Sequence, residues 1–328
     1  MPWRAPWGLG NAAVQTAFAA IPLLSPRLAS TLLRVPVAGG AVHVHVTWRA
    51  ASVRARAPVA LIVHGIGGSS ESVYVRRAAA QLLGGGYHVA RMDMRGAGES
   101  VHDAPSLYHA GLTSDVAAAV AALAEDPRAS SVVLVGFSLG GQVVLRLLGE
   151  WADHAPSAVV AALAVSAPLD LALSSRLFER PALWPYRRYV VKHLLLQARA
   201  FQEARPKEAQ RLRLGALSAG STIRAYDSAV VVPLHGFADA DDYYRSASAG
   251  PLLPSVRVPT LVLHAADDPM VPLSSVLPSL DHASKAVEVA ISRGGGHVGW
   301  AEGVTAAAFS NHWPLRVARA FLSRHNVG

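Results

Sequence analysis

Ser131-Val132-Val133-Leu134-Val135-Gly136-Phe137-Ser138-Leu139-Gly140-Gly141-Gln142-Val143-Val144-Leu145 joins an apolar, β-branched run to an apolar, helix-compatible one through Gly-x-Ser-x-Gly. A strand aimed straight at a helix needs a sharp turn, whose apex residue takes a strained backbone conformation and exposes its side chain. Gly136 and Gly140 stand where Cβ atoms would collide as strand and helix close on each other. Ser138 is thereby a candidate nucleophile. The helix starting just after it would also direct unpaired N–H groups and a positive dipole end at whatever binds there. A plain strand-to-helix turn with a solvated serine is the competing possibility, and the strand and helix patterns on either side favour the nucleophile.

Outward from this turn the chain alternates between the two periods. Leu32–Val37 and Ala41–Trp48 are β-rich runs around Gly39-Gly40, the pattern of an antiparallel hairpin. His43 and His45 share one face of the second run as ordinary strand histidines. Pro58–Val63, Tyr87–Met92 and Ala158–Val165 predict further strands, and Tyr74–Leu83 and Thr113–Ala124 predict helices. Such alternation with short Gly-rich joints specifies an α/β chain, a parallel sheet covered by helices on both faces. From Pro168 to Pro259 the alternation stops. That stretch is rich in Arg, Tyr and Leu and helical in pattern, with breaks at Pro181, Pro185, Pro206 and Pro233. Alternation resumes with a strand at Thr260–His264, a helical region after Pro272, a strand at Ala286–Ile291 and a closing helix near Pro314–Ser323. The expected organisation is an N-terminal arm (1–30), a core (31–167 and 260–328) and a cap inserted over the strand ends (168–259).

The totals narrow the class. With 328 residues, 52% hydrophobic and 16% charged, the chain can bury a full core and is not disordered throughout. It has no cysteine, which excludes disulfides, thiolate metal sites and a cysteine nucleophile. A cytoplasmic location fits that composition. The net charge of +8 comes from scattered arginines such as Arg76-Arg77 and Arg187-Arg188. No basic run is interleaved with aromatics, so no nucleic-acid partner is expected, while peripheral contact with an anionic membrane surface stays open. Near the N-terminus Arg4 precedes an apolar stretch from Ala12 to Leu24, and Ala17-Phe18-Ala19 mimics a signal-peptidase site. Gln15 and Thr16 interrupt that stretch, Pro22 breaks it, and it falls short of the ~20 residues of a membrane span. An amphipathic arm packed on the domain is expected instead.

A serine hydroxyl needs a base, and the base needs a partner to fix its tautomer. The strand at Thr260–His264 runs into Ala265-Ala266-Asp267-Asp268-Pro269-Met270-Val271-Pro272, and the strand at Ala286–Ile291 runs into Gly294-Gly295-Gly296-His297. The order Ser138, Asp268, His297 differs from the orders of the two common serine-protease folds. Adjacent side chains at a strand end diverge, so only one aspartate can meet His297. Asp267 and Asp268 both stand at that strand end, and the one that does not meet His297 is expected to bind loop N–H groups. The oxyanion donors are expected to be the backbone N–H groups of Leu139 and, in the loop after Val63, Ile66. His64 is expected to organise that loop. Arg95-Gly96-Ala97-Gly98 follows a strand but lacks the third glycine and the acidic residue of a dinucleotide site. No Gly-x-x-x-x-Gly-Lys-Ser/Thr and no metal-ligand spacing among the histidines exists, so no cofactor and no metal are expected.

With these residues identified, the chain resembles the α/β-hydrolase superfamily, and within it the YheT-like group of embryogenesis-associated hydrolases and α/β-hydrolase-domain lipases. The likeness rests on Pro6-Trp7-Gly8-Leu9-Gly10-Asn11 with Gln15-Thr16, on Arg95-Gly96-Ala97-Gly98-Glu99-Ser100, and on Tyr108-His109-Ala110-Gly111 with Asp115. It continues through the Ser138 turn, Val165-Ser166-Ala167-Pro168-Leu169-Asp170 and Asp239-Ala240-Asp241-Asp242-Tyr243-Tyr244. Gln142 stands where the group commonly has Asn, and Ala13-Val14 replaces a usual His-Leu. The resemblance implies a mostly parallel eight-stranded sheet with a helical cap and a catalytic set of Ser138, Asp268 and His297; Asp268-Pro269-Met270-Val271-Pro272 resembles the usual acid loop of such hydrolases, which makes Asp268 the acid and leaves Asp267 to the loop N–H groups. It also implies cleavage of a carboxylic ester, members of the group acting on short-chain esters, acylglycerols or phospholipids, and the apolar pattern of 168–259 suggests a small-molecule substrate with a hydrophobic acyl group. Thioester hydrolysis, acyl transfer through the same acyl-enzyme, and a non-catalytic binding protein are the alternatives.

Overall fold

Alternate residues of a strand face opposite sides of its sheet. In β3 (Ala57–Val63), Val59, Leu61 and Val63 join one apolar core while Ala60 and Ile62 join another. A strand covered on both faces must be apolar throughout, which is why this run shows no polar alternation. The computed structural model describes all residues except 1–2, 4, 7, 22–24, 50–55, 303–312 and 328; Arg4, Trp7 and Pro22 of the N-terminal expectation therefore lie outside the described residues.

Eight strands form one sheet: β1 (Thr31–Val37), β2 (Gly40–Thr47), β3, β4 (His88–Asp93), β5 (Ala129–Phe137), β6 (Val159–Val165), β7 (Thr260–Ala265) and β8 (Val287–Ser292). Their spatial order is β1-β2-β4-β3-β5-β6-β7-β8. The β1–β2 hairpin and the β2–β4 pair are antiparallel, and every pairing from β4 to β8 is parallel. From β3 the chain moves outward to β4, then crosses back to β5 on the other side. Ligands bind outside the carboxyl ends of parallel strands at such a reversal. The Gly65 loop and Ser138 both lie there.

One face of the sheet is covered by α2 (Val73–Gly84) and the closing helix Trp313–Arg324, the other by α3 (Ser114–Ala124) and α4 (Leu139–Trp151). Between β6 and β7 come α5 (Leu171–Phe178), α6 (Trp184–Ala204), α7 (Ile223–Ala229), α8 (Val231–His235) and α9 (Ala240–Ala247), with no strand among the described residues. Phe178, Val191, Leu194, Phe201 and Tyr243 of these helices join the same apolar core as α3 and α4. Two of the four prolines expected to break helices do not. Pro185 sits in the first turn of α6 and Pro233 inside the short α8; in a first turn the missing N–H has no helical partner to lose. The helical region after Pro272 reduces to a 3₁₀ turn, Leu273–Ser275, and one turn at Leu277–Leu280.

The N-terminal helix Ala12–Phe18 is capped by the Asn11 carboxamide oxygen, which accepts from the Ala13 N–H at 2.8 Å. Its polarity is the reverse of an amphipathic arm's. Gln15 and Thr16 are buried, and Val14 is exposed. No described helix is long and apolar enough to cross a membrane.

Candidate active site

Ser138 occupies the apex between β5 and α4 with φ 51° and ψ −119°, a conformation L-residues rarely adopt. Its N–H is bound by the Val165 carbonyl at 2.8 Å. A Cβ on Gly136 would run into the Gly140 carbonyl and the Gly141 Cα, and one on Gly140 into the carbonyls of Val63 and His64. Only glycine lets strand, helix and the β3 loop approach this closely.

The carboxyl ends of β7 and β8 bring the other two groups to the same place. The Ser138 hydroxyl meets His297 Nε2 at 2.9 Å, and His297 Nδ1 meets Asp268 Oδ2 at 2.8 Å. Asp268 Oδ1 accepts from the N–H groups of Met270 and Val271, each at 2.9 Å. An acceptor facing Nδ1 keeps the proton there, leaving Nε2 free to accept from Ser138. Burial alone would push the Asp268 carboxyl up. The facing His297 ring and the Val271 N–H outweigh it and hold the carboxyl below its ordinary value. Asp267 turns away and accepts from the Gly296 N–H at 2.9 Å.

The loop after β3 is fixed by two tyrosines. The Gly65 N–H donates to the Tyr74 hydroxyl at 2.8 Å and the Gly67 N–H to the Tyr108 hydroxyl at 2.7 Å. Between them the Ile66 N–H, like that of Leu139, has no hydrogen-bond partner among the described residues. A Cβ on Gly65 would sit 3.1 Å from that of Ser138, so the loop lies against the serine. His64 is fully buried and bonded at both nitrogens, to the Gly65 carbonyl (2.8 Å) and the Met94 N–H (3.2 Å). Burial lowers its pKa, so it is neutral and has no free nitrogen to act as a base.

Two cavities meet at Ser138, His297 and Ile66. One, of about 110 Å³, lies under α5 to α9 and has largely apolar walls including Leu171, Phe178 and Ile223. The other, of about 470 Å³, runs between the N-terminal helix (Thr16, Ala17) and Tyr74, Tyr186 and Tyr189.

Several groups at the site escape a reading of sequence. The His297 N–H donates to Thr16 Oγ1 at 2.9 Å, and Gln15 binds Ala301 through both ends of its carboxamide. The available signal was the pair of polar residues in an otherwise apolar arm. Tyr74 carries no such mark, and Tyr108 stands out only within the Tyr108-His109-Ala110-Gly111 block of the family likeness. Gln142, the departure from Asn, donates to the carbonyls of Ala110 (2.7 Å) and Ala247 (3.1 Å).

Residues 58–304 match the profile of the family described as alpha/beta hydrolase fold. YheT of Escherichia coli strain K12, named provisionally as an esterase, is 32% identical over 246 residues, 75% of this chain and 71% of that one. The monoacylglycerol lipase of Saccharomyces cerevisiae is 30% identical over 258 residues; the match takes in 74% of this chain but only 55% of that longer protein. Among solved structures, the α/β hydrolase GrgF of Penicillium superimposes with a TM-score of 0.61 at 18% identity, over 91% of this chain and 99% of that one.

Proposed function

Since the chain belongs to the α/β-hydrolase family, in its YheT-like group with esterase- and lipase-named relatives, we propose that it hydrolyses small-molecule carboxylic esters through Ser138, His297 and Asp268. The observation that carries this is the unbroken run of hydrogen bonds from Asp268 through His297 to Ser138, opening on two cavities at once.

In the proposed cycle the Ser138 proton passes to His297 Nε2 as Oγ attacks the acyl carbonyl carbon. The N–H groups of Ile66 and Leu139 bind the resulting oxyanion, each such donor typically stabilising the transition state by about 2.7–4 kcal/mol. The intermediate collapses, His297 gives its proton to the departing alkoxide, and the alcohol leaves an ester on Ser138. Water then attacks that ester, its proton goes to His297, and the acid is released as the proton returns to Ser138. Asp268 holds the imidazole in the working tautomer and stabilises its protonated form. Residues 168–259 serve as the cap, the small cavity beneath them takes the acyl part, and the larger cavity takes the alcohol part.

The test pairs a fluorophosphonate probe with hydrolysis of a short chromogenic ester. Wild type should be labelled and active, and Ser138→Ala should lose both, with turnover falling by about 10⁴–10⁶-fold. A folded wild type that is neither labelled nor active would overturn the proposal.

A further inference from the structure

The small cavity is not apolar throughout. Ser174 on α5 and Tyr226 and Asp227 on α7 line it together with Ser138. Asp227 is 6% exposed, and its Oδ2 accepts from the Tyr244 hydroxyl at 2.6 Å; the Ser175 hydroxyl donates to Tyr244 in turn at 3.2 Å. Among the described residues nothing donates to Asp227 Oδ1, and the Tyr226 hydroxyl has no partner. Ser174 Oγ is buried without one. Burial pushes the Asp227 carboxyl up to about 7, the Tyr244 hydroxyl and Arg224 only partly offsetting it. A hydrocarbon chain filling this void would leave all three groups unsatisfied, which protein interiors rarely permit.

We propose that the cavity is an acyl subsite for a short acyl chain ending in a hydroxyl group, which donates to Asp227 Oδ1 and accepts from Tyr226 or Ser174. The proposal rests on the ester-hydrolase function above. A hydroxyl is both donor and acceptor, so it can pair with the Asp227 carboxyl, which accepts when ionised, and with two hydroxyls that can do either. An apolar pocket distinguishes chains differing by a methylene only weakly. A site whose polar groups would go unpaired rejects the analogue lacking the hydroxyl far more strongly. Ordered water is the competing occupant, and it predicts no preference for the hydroxyl.

The experiment compares kcat/KM for ethyl esters of straight-chain acids from four to eight carbons with their counterparts hydroxylated at the terminal carbon. Released ethanol is measured against a Ser138→Ala background. Wild type should favour the hydroxylated ester at least about tenfold at one chain length or more. Asp227→Leu should abolish or reverse that preference, and Asp227→Asn, which keeps the shape, should reduce it. Wild-type preference for the plain chain at every length overturns the proposal whether or not the variants fold, as does a ratio unchanged in a folded Asp227→Leu. Hydrolysis of no ester at all would overturn the proposed function and this subsite with it, whereas efficient hydrolysis of plain chains alone removes only the subsite.

Discussion

Replacing either of two adjacent aspartates by asparagine tests the proposed acid, because the structure gives the same substitution opposite consequences at the two positions. Asp268 Oδ1 accepts two backbone N–H groups, from Met270 and Val271. An asparagine there must keep its oxygen on that side, so its amide NH₂ falls where Oδ2 now faces His297 Nδ1. A donor facing Nδ1 pulls the proton to Nε2, and the imidazole then presents N–H rather than a lone pair to Ser138. The base is in the wrong tautomer and the charge that would stabilise its protonated form is gone. In a triad of this geometry such a change costs about 10⁴ in kcat, roughly 5.5 kcal/mol of barrier at about 1.4 kcal/mol per decade. Asp267 accepts a single N–H, from Gly296, and asparagine can accept it equally well. Asp267→Asn should therefore stay within about threefold, the loss expected when one charge-assisted hydrogen bond becomes a neutral one at a part-buried site. Steady-state hydrolysis of a short ester by both variants decides the matter. Asp268→Asn within tenfold of wild type, or Asp267→Asn falling as far as Asp268→Asn, would refute the assignment.

Three further outcomes follow from other contacts. Thr16→Val removes the acceptor of the His297 N–H, and a buried N–H left unpaired costs about 1–3 kcal/mol; kcat should drop about tenfold with KM little changed, and an unaltered kcat would show that the arm does not position His297. Gly136→Ala places a methyl group inside the Gly140 carbonyl and against backbone that cannot yield, so thermal unfolding should show a lowered or absent transition, and a wild-type midpoint would contradict the close approach. Asp227 ionises near 3.8 in the unfolded chain and near 7 in the fold, so between those values the unfolded state releases a proton the native state keeps. Its contribution to stability therefore falls as pH rises through that window, by up to about 4 kcal/mol; denaturant unfolding should show Asp227→Asn gaining on wild type from pH 5 to pH 8, and a constant difference would refute the buried carboxyl.

What could be read from sequence is what local pattern encodes. The Ser138 turn, the strands of the sheet and the divergence of Asp267 from Asp268 each depend on neighbouring residues and strand periodicity. Pro185 and Pro233 misled because proline breaks a helix interior but is tolerated in its first turn, and the boundary of a short helix cannot be located to one residue. The polar groups beside Ser138 were hidden for a different reason. Tyr74 and Tyr108 reach the site only through the folded loop after β3, and Asp227 only through the cavity that the helices of 168–259 line together with Ser138. Nothing in a tyrosine's immediate sequence says which distant N–H it will bind.

The same closure explains why the arm buries polar rather than apolar residues. The loop carrying His297 holds Val298 at φ 58° and Trp300 at φ 53°, conformations that persist only where the surroundings over-determine them. Four of its N–H groups are bound by side chains from three separate parts of the chain. Gly296 donates to Asp267 after β7, Val298 to Ser166 after β6, and His297 and Ala301 to Thr16 and Gln15 of the N-terminal helix. Two of the four anchors thus lie before residue 58, outside the segment that matches the family profile. An apolar helix face could cover this loop but could not satisfy its N–H groups, and a loop free to relax would not keep the imidazole between Ser138 and Asp268. In the proposed enzyme the arm is accordingly a positioning element for the base, and its polar pair is the part that substitution should find least tolerant.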